Sequence, residues 1–252
     1  AYAIDDRGSG ATTPPLVWYE FTTDRTGAHP QRQLANFTGY LQADGYAGYD
    51  KLYNTNRVTE VACWAHFRRK IFDIHASKPT PLTTDLLERI GQLYEIEAEV
   101  RGQQPEIRRR SRHDRTKPLI DDLRQAIDDA LRRLSPKSEM AKAIAYGRKR
   151  WVALTRFLDD GRLEIDNNIA ERAMRCVALG RKNWLFAGSK AGGDRAAAIY
   201  SVIETAKLNG LEPQTYIADV IAKIAGDWPA ARWDELLPWN WRPDQQPIAE
   251  AA

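Results

Sequence analysis

Residues 57–70, Arg57-Val58-Thr59-Glu60-Val61-Ala62-Cys63-Trp64-Ala65-His66-Phe67-Arg68-Arg69-Lys70, carry two periodicities in one run. From Arg57 to Cys63 the residues alternate with the period of a half-buried strand. From Trp64 the pattern changes to helical spacing and stays there. Further back, Tyr40-Leu41-Gln42-Ala43 reads as a short strand running into the turn signal Asp44-Gly45, and His29 to Phe37 as a short helix begun by Pro30. Pro15 to Thr22 is rich in strand-forming residues and follows the turn-forming segment Gly8 to Pro14, which predicts a hairpin. Strand, helix, strand, helix, strand is an α/β pattern. Tyr2-Ala3-Ile4 reads as a strand already under way, and without an initiator Met the chain is expected to begin inside a longer polypeptide.

Downstream, Leu86, Leu87, Ile90, Leu93, Tyr94, Ile96 and Val100 follow helical spacing, as do Leu119, Leu123, Ile127, Leu131 and Leu134. Ile144, Trp151, Leu154, Phe157 and Leu158 mark a third long helix. The expected organisation is a first part of an α/β core at 1–76, an all-helical insertion at 77–160, a second part of the core at 161–210 and a helical carboxy-terminal segment with its tail at 211–252. Within the later parts, Asp166-Asn167-Asn168 offers N-cap chemistry for a helix over about 166–178. Two more helices are expected at 192–208 and 213–225, and the chain past Arg242 is expected to be loose.

The 252 residues are 43% apolar with eight Trp, enough for a sizeable core and unlike a disordered chain. A formal charge of +3 is not that of a histone-like protein, so nucleic-acid affinity must come from local basic clusters. Two Cys cannot build a dense disulfide framework, no signal peptide opens the chain and the longest apolar run is too short to span a bilayer. A soluble intracellular protein is expected.

On a helical wheel, Ile169, Ala170, Ala173, Met174 and Val177 fill one side of residues 166–178, and Asn167, Asn168, Glu171, Arg172 and Arg175 the other. A solvated face explains this adequately. Yet no other acid occurs between Glu171 and Asp194, while Arg172, Arg175, Arg181, Lys182 and Lys190 all do, interleaved with Gly residues, Trp184 and Phe186. A lone carboxylate beside such a segment suits a metal held next to a phosphate backbone. Asp44, just past an apolar strand, is the second candidate, with an ordinary Asp-Gly turn as its plain alternative. Two converging carboxylates can hold Mg²⁺ for in-line phosphoryl transfer. Cys63 and His66 have metal-like C-x₂-H spacing, but no second pair stands ready to complete a zinc site. Arg68, Arg69 and Lys70 form a candidate phosphate-contacting face, and the seven Lys/Arg from Arg101 to Lys117 a candidate DNA footprint.

Several long motifs now stand together. They are Leu41-Gln42-Ala43-Asp44-Gly45-Tyr46-Ala47-Gly48-Tyr49, Cys63 to Lys70, and Leu163-Glu164-Ile165-Asp166-Asn167-Asn168-Ile169-Ala170-Glu171-Arg172. The last continues into Ala178 to Ser189, followed by Glu204 to Gly210 and the ending Leu236 to Trp241. Together, over about 16–241, they resemble the transposases of bacterial insertion sequence 66.

The resemblance implies a ribonuclease-H-like core of the Asp-Asp-Glu class, interrupted by a helical insertion before the Glu. It also implies two Mg²⁺ or Mn²⁺ ions and cut-and-join chemistry on the double-stranded DNA of transposon ends and target, carried out in the bacterial cytoplasm by a homo-oligomer on DNA. Asp44 matches the second catalytic Asp and Glu171 the catalytic Glu, both as metal ligands. Arg172, Arg175, Arg181, Lys182, Arg68, Arg69 and Lys70 are the expected DNA contacts. The family's first catalytic Asp belongs on a strand preceding residues 2–4; Asp5 and Asp6 align with the end of the second strand and are not assigned that role. The chain thus resembles the carboxy-terminal portion of such a transposase, without the family's amino-terminal zinc-binding and end-recognition parts. The rival readings are a non-catalytic DNA-binding remnant and a structure-specific nuclease on the same fold.

Overall fold

The computed structural model describes residues 1–180 and 187–243, which are mostly helical with two small sheets. They form two compact units. One comprises Asp6–Thr12 and Asp24–Asn168; the other comprises Ala1–Asp5, Thr13–Thr23 and the described residues from Ile169 onward.

The unit containing Asp24–Asn168 opens with α1 (Ala28–Gln33) and the strands β3 (Gly39–Ala43) and β4 (Val58–Ala62). Helix α1 is shorter than the expected His29–Phe37, because its end tightens into i→i+3 turns, Ala35 N–H to Arg32 O and Phe37 N–H to Leu34 O. The strands pair in parallel, from Gly39 opposite Val58 to Ala43 opposite Ala62. A parallel pair cannot be closed by a tight turn. The connection accordingly carries a 3₁₀ turn at Ala47–Tyr49 and the short α2 (Asp50–Tyr53).

Straight after β4, Cys63 is extended and caps α3 (Trp64–Ser77), as the change of period predicts. Helix α4 (Pro81–Val100) begins with a capping box in which Thr80 and Thr83 bond reciprocally, with Pro81 in the first turn. Helix α5 (Pro105–Ser111) passes through a π-helical turn at Arg112–Thr116 into α6 (Lys117–Arg133). The short α7 (Glu139–Lys149) and α8 (Trp151–Thr155) follow. Trp64, Phe67 and Ile71 of α3 meet Leu86, Ile90 and Leu93 of α4, Ile120, Leu123 and Ile127 of α6, and Ile144 of α7 in one core. Each such side chain contributes roughly 1.5–3 kcal/mol. The Trp64 indole N–H is satisfied by the Leu154 carbonyl at 2.8 Å.

Gly147 lets α7 approach α3: a Cβ there would lie 2.5 Å from the Phe67 ring. Gly147→Ala is expected to destabilise the protein by about 1–3 kcal/mol through overpacking, read as a lower denaturant midpoint. An unchanged midpoint would mean the helices pack less closely than described.

Two arginines of the basic stretch from Arg101 to Lys117 turn inward. Arg112 is 0% exposed and grips Glu97 with two bonds of 2.7 Å, while donating to the carbonyls of Phe157, Asp160 and Leu163. Arg108 reaches Glu97 at 3.4 Å and Glu164 at 2.9 Å. Arg115 pairs with Glu99, and Lys117 with Asp121. The candidate DNA footprint is therefore corrected at Arg108 and Arg112, which form a buried ion cluster tying α4 and the π-helical turn to the chain approaching residue 165.

In the other unit, β1 (Tyr2–Ile4) and β2 (Leu16–Trp18) form the expected antiparallel hairpin, with Tyr2 stacked on Trp18. It also holds α9 (Asn168–Gly180, in this unit from Ile169), α10 (Lys190–Leu208) and α11 (Pro213–Ala225). Ser201, Thr205 and Asn209, spaced by four along α10, bond the backbone of Tyr19, Val17 and Pro15. They satisfy backbone groups at one edge of β2 that would otherwise lack partners. Beyond α11 the chain folds back, and Trp241 meets Tyr216 edge-on while its indole donates to Asp219 at 2.6 Å. Residues past Pro243 lie outside the described residues.

Candidate functional site

Asp44 follows the last residue of β3, at the carboxyl end of the parallel pair, where open α/β sheets place functional side chains. Its side chain is exposed, Oδ1 accepts from the Tyr46 N–H at 3.1 Å, and it has no salt bridge among the described residues. The turn is gripped by α7 and the residue after it. The Tyr146 hydroxyl donates to the Asp44 carbonyl at 2.8 Å, and the Arg150 guanidinium to that of Gly45 at 3.1 Å. Gly45 has φ +79°, which favours glycine, and a Cβ would lie 2.7 Å from Arg150 Nε and 2.8 Å from the Tyr146 hydroxyl, so a larger residue would also push those two side chains off the turn.

Lys70 joins this group, with its Nζ 4.5 Å from the Tyr146 ring centre and the Arg150 guanidinium 4.7 Å from it. Burial raises the Tyr146 phenol; Arg150 opposes the rise and Asp44 adds to it. Tyr49 is raised likewise, by burial first and then by Asp44. Both phenols therefore stay protonated at neutral pH, as the Tyr146 bond to the Asp44 carbonyl requires. Tyr146 and Arg150 escape a sequence reading because they lie 102 and 105 positions from their partners. The cluster of Arg148, Lys149 and Arg150 is the faint signal that could have flagged them.

The same end of β3 and β4 receives the segment leading into α9. Gln42 donates to the Glu164 carbonyl at 2.8 Å, Trp64 N–H to the Ile165 carbonyl at 3.2 Å, and Asn167 N–H to Cys63 Sγ at 3.5 Å. Asp166 then accepts from both the backbone and side chain of Asn168, the capping chemistry expected of Asp166-Asn167-Asn168.

Arg68 and Arg69, the residues just before Lys70 on α3, line a different surface. With Phe72 of α3 and Gly91 and Tyr94 of α4 they line a groove of about 590 Å³. Glu171 lies in the first turn of α9; Arg172 and Arg175 are exposed on the same helix. Within its unit α9 meets Tyr19, whose hydroxyl donates to the Ala173 carbonyl at 2.5 Å and lies 3.5 Å from Cys176 Sγ. Met174, expected on the apolar face, is instead 44% exposed, while Ala173 and Cys176 meet Tyr19. Arg181 and Lys182 lie outside the described residues.

Residues 1–195 match the family described as Transposase IS66 family, and residues 201–239 match the IS66 C-terminal element. The chain belongs to the transposase IS66 family. Among curated relatives it is 41% identical to uncharacterized protein y4hP of Sinorhizobium fredii (strain NBRC 101917 / NGR234), over 96% of this chain and 46% of that protein. Uncharacterized protein y4qI of the same organism is 41% identical over 97% of this chain and 47% of its own length. Uncharacterized protein y4jD, also from that organism, is 40% identical over 100% of this chain and 50% of its own length. The chain thus spans about half the length of the curated relatives it matches. No solved structure matches it. IS66 family membership supports a transposase-related, nucleic-acid-processing role. No helix among the described residues is long and apolar enough to cross a membrane.

Proposed function

We propose that the chain is the catalytic portion of a transposase that cleaves insertion-sequence DNA ends and joins them to target DNA. Its core would be ribonuclease-H-like, with 77–160 as the inserted helical part, and it would act as an oligomer on DNA. The observation carrying this is the pairing of an IS66 family match over residues 1–195 with an exposed Asp44 that forms no salt bridge among the described residues, at the carboxyl end of β3. Supporting it, the segment that feeds α9 is tied to that same end through Gln42, Cys63 and Trp64, and Glu171 lies in the first turn of α9.

Asp44 and Glu171 would hold Mg²⁺ or Mn²⁺, hard cations that prefer such oxygen donors. Bound there, two ions would supply activation of water or a 3′-hydroxyl and stabilisation of the leaving oxygen. Tyr146 and Arg150 keep the Asp44 backbone in one position, which limits the reorganisation a ligand carboxylate undergoes on binding. Arg68, Arg69, Lys70, Arg172, Arg175, Arg181 and Lys182 would hold the phosphate backbone, giving salt-dependent affinity.

An assay with a labelled terminal-repeat end separates this reading from its rivals. A transposase yields joined products with target DNA when Mg²⁺ is present. Cut branched DNA without joining would assign the chain to a nuclease, and metal-independent binding without cutting to a DNA-binding remnant.

A further inference from the structure

The groove between α3 and α4 has a chemistry of its own. At about 590 Å³ it falls within the roughly 300–1,000 Å³ of small-molecule sites. Two guanidinium groups, Arg68 and Arg69, line it; among the described residues no carboxylate belongs to the lining, although burial first and then the nearby Asp166 raise the lining Tyr94 phenol. Phe72 is 45% exposed beside it, whereas Trp64 and Phe67 of the same helix are fully buried, so the core does not account for Phe72. The Arg68 guanidinium lies 5.7 Å from the Phe72 ring centre, one turn away on α3. Together they offer a flat aromatic surface beside two positive charges.

Gly91 of α4 supplies the independent observation. A glycine inside a 20-residue helix costs about 1 kcal/mol relative to Ala. No packing neighbour demands it, since a Cβ at this position would meet nothing within 4 Å. Its effect is to leave the groove open where a side chain would stand.

We infer that this groove binds an unpaired nucleotide of a DNA strand, its base against Phe72 over the floor at Gly91 and its phosphate on Arg68 and Arg69. The inference rests on the DNA-processing reading above. A base with a π-face suits an aromatic and Arg surface, and phosphate suits paired guanidinium groups. Lys70, the next residue along α3, extends the positive charge beyond the groove, which favours a nucleotide within a strand over a free one.

The test uses the intact protein without divalent metal and a DNA duplex carrying one unpaired 2-aminopurine, compared with the same duplex fully paired. The wild type is expected to bind the unpaired form more tightly and to change its 2-aminopurine fluorescence. Phe72→Ala and Gly91→Leu are expected to weaken that binding about ten-fold or more while leaving the paired duplex unchanged. Gly91→Ala should keep the preference and raise the melting temperature, which shows that the groove and not the helix is being read. Variants that keep the preference, or lose both duplexes equally, would overturn the inference, as would AMP alone displacing the unpaired duplex at micromolar concentration. If the wild type bound both duplexes alike, the groove proposal would fail while the transposase reading stood; if it bound neither, both would fail.

Discussion

Asp44→Asn and Glu171→Gln are each expected to lower strand transfer by at least about a thousand-fold, because a metal-held phosphoryl-transfer site draws several kcal/mol from its ions. Affinity for DNA ends should stay within a few-fold, since the basic residues that supply it are untouched. The fold is expected to tolerate Asp44→Asn in particular. Asp44 is exposed and forms no salt bridge among the described residues, and an Asn there can still accept from the Tyr46 N–H. Single-turnover assays in Mg²⁺ beside gel-shift titrations read the two effects separately. Joining that survives either substitution would remove that residue from the metal site, and parallel loss of DNA binding would recast it as structural.

Glu97→Ala should produce the largest loss of stability, about 3–5 kcal/mol, because it leaves buried positive charge uncompensated. Glu97 is 3% exposed, and both Arg112 and Arg108 point their guanidinium groups at it. Against a typical total of roughly 5–15 kcal/mol, such a loss is a large fraction. Arg112→Met would fail differently: Glu97 would lose its bidentate partner, and the carbonyls of Phe157, Asp160 and Leu163 would lose their donor. Those carbonyls belong to the chain approaching α9, so both variants are expected to lose strand transfer along with stability. Urea unfolding checks the first prediction, and a loss below about 1 kcal/mol would mean that water reaches the cluster and screens it.

Elements whose signal is local were legible in the sequence. The hairpin, the strands at 39–43 and 58–62, the change to helix at Trp64 and the helix at Pro213–Ala225 all follow from periodicity, turn residues and Pro placement. The turn that Asp166 makes onto the Asn168 N–H, where α9 begins, belongs with them. Long-range pairing was not legible. A charge run looks the same whether solvated or buried, and Arg108 and Arg112 turn inward only because Glu97 lies 11 and 15 residues upstream on a helix that packs against them. Ser201, Thr205 and Asn209 read as ordinary polar residues until β2 is placed beside them. Around Asp44, the carboxylate announced itself by following a strand into a turn, while the Tyr146 and Arg150 that hold that turn come from a helical segment about a hundred residues later.

The central claim is that Asp44 and Glu171 hold the same metal. Fe²⁺ substituted for Mg²⁺ in the intact protein, with ascorbate and peroxide, generates hydroxyl radicals that cut the polypeptide next to the bound ion. The account predicts two cuts, one near residue 44 and one near residue 171, competed away by Mg²⁺ and both lost in Asp44→Asn. Cuts at only one of these segments, or a second cut that survives Asp44→Asn, would contradict it.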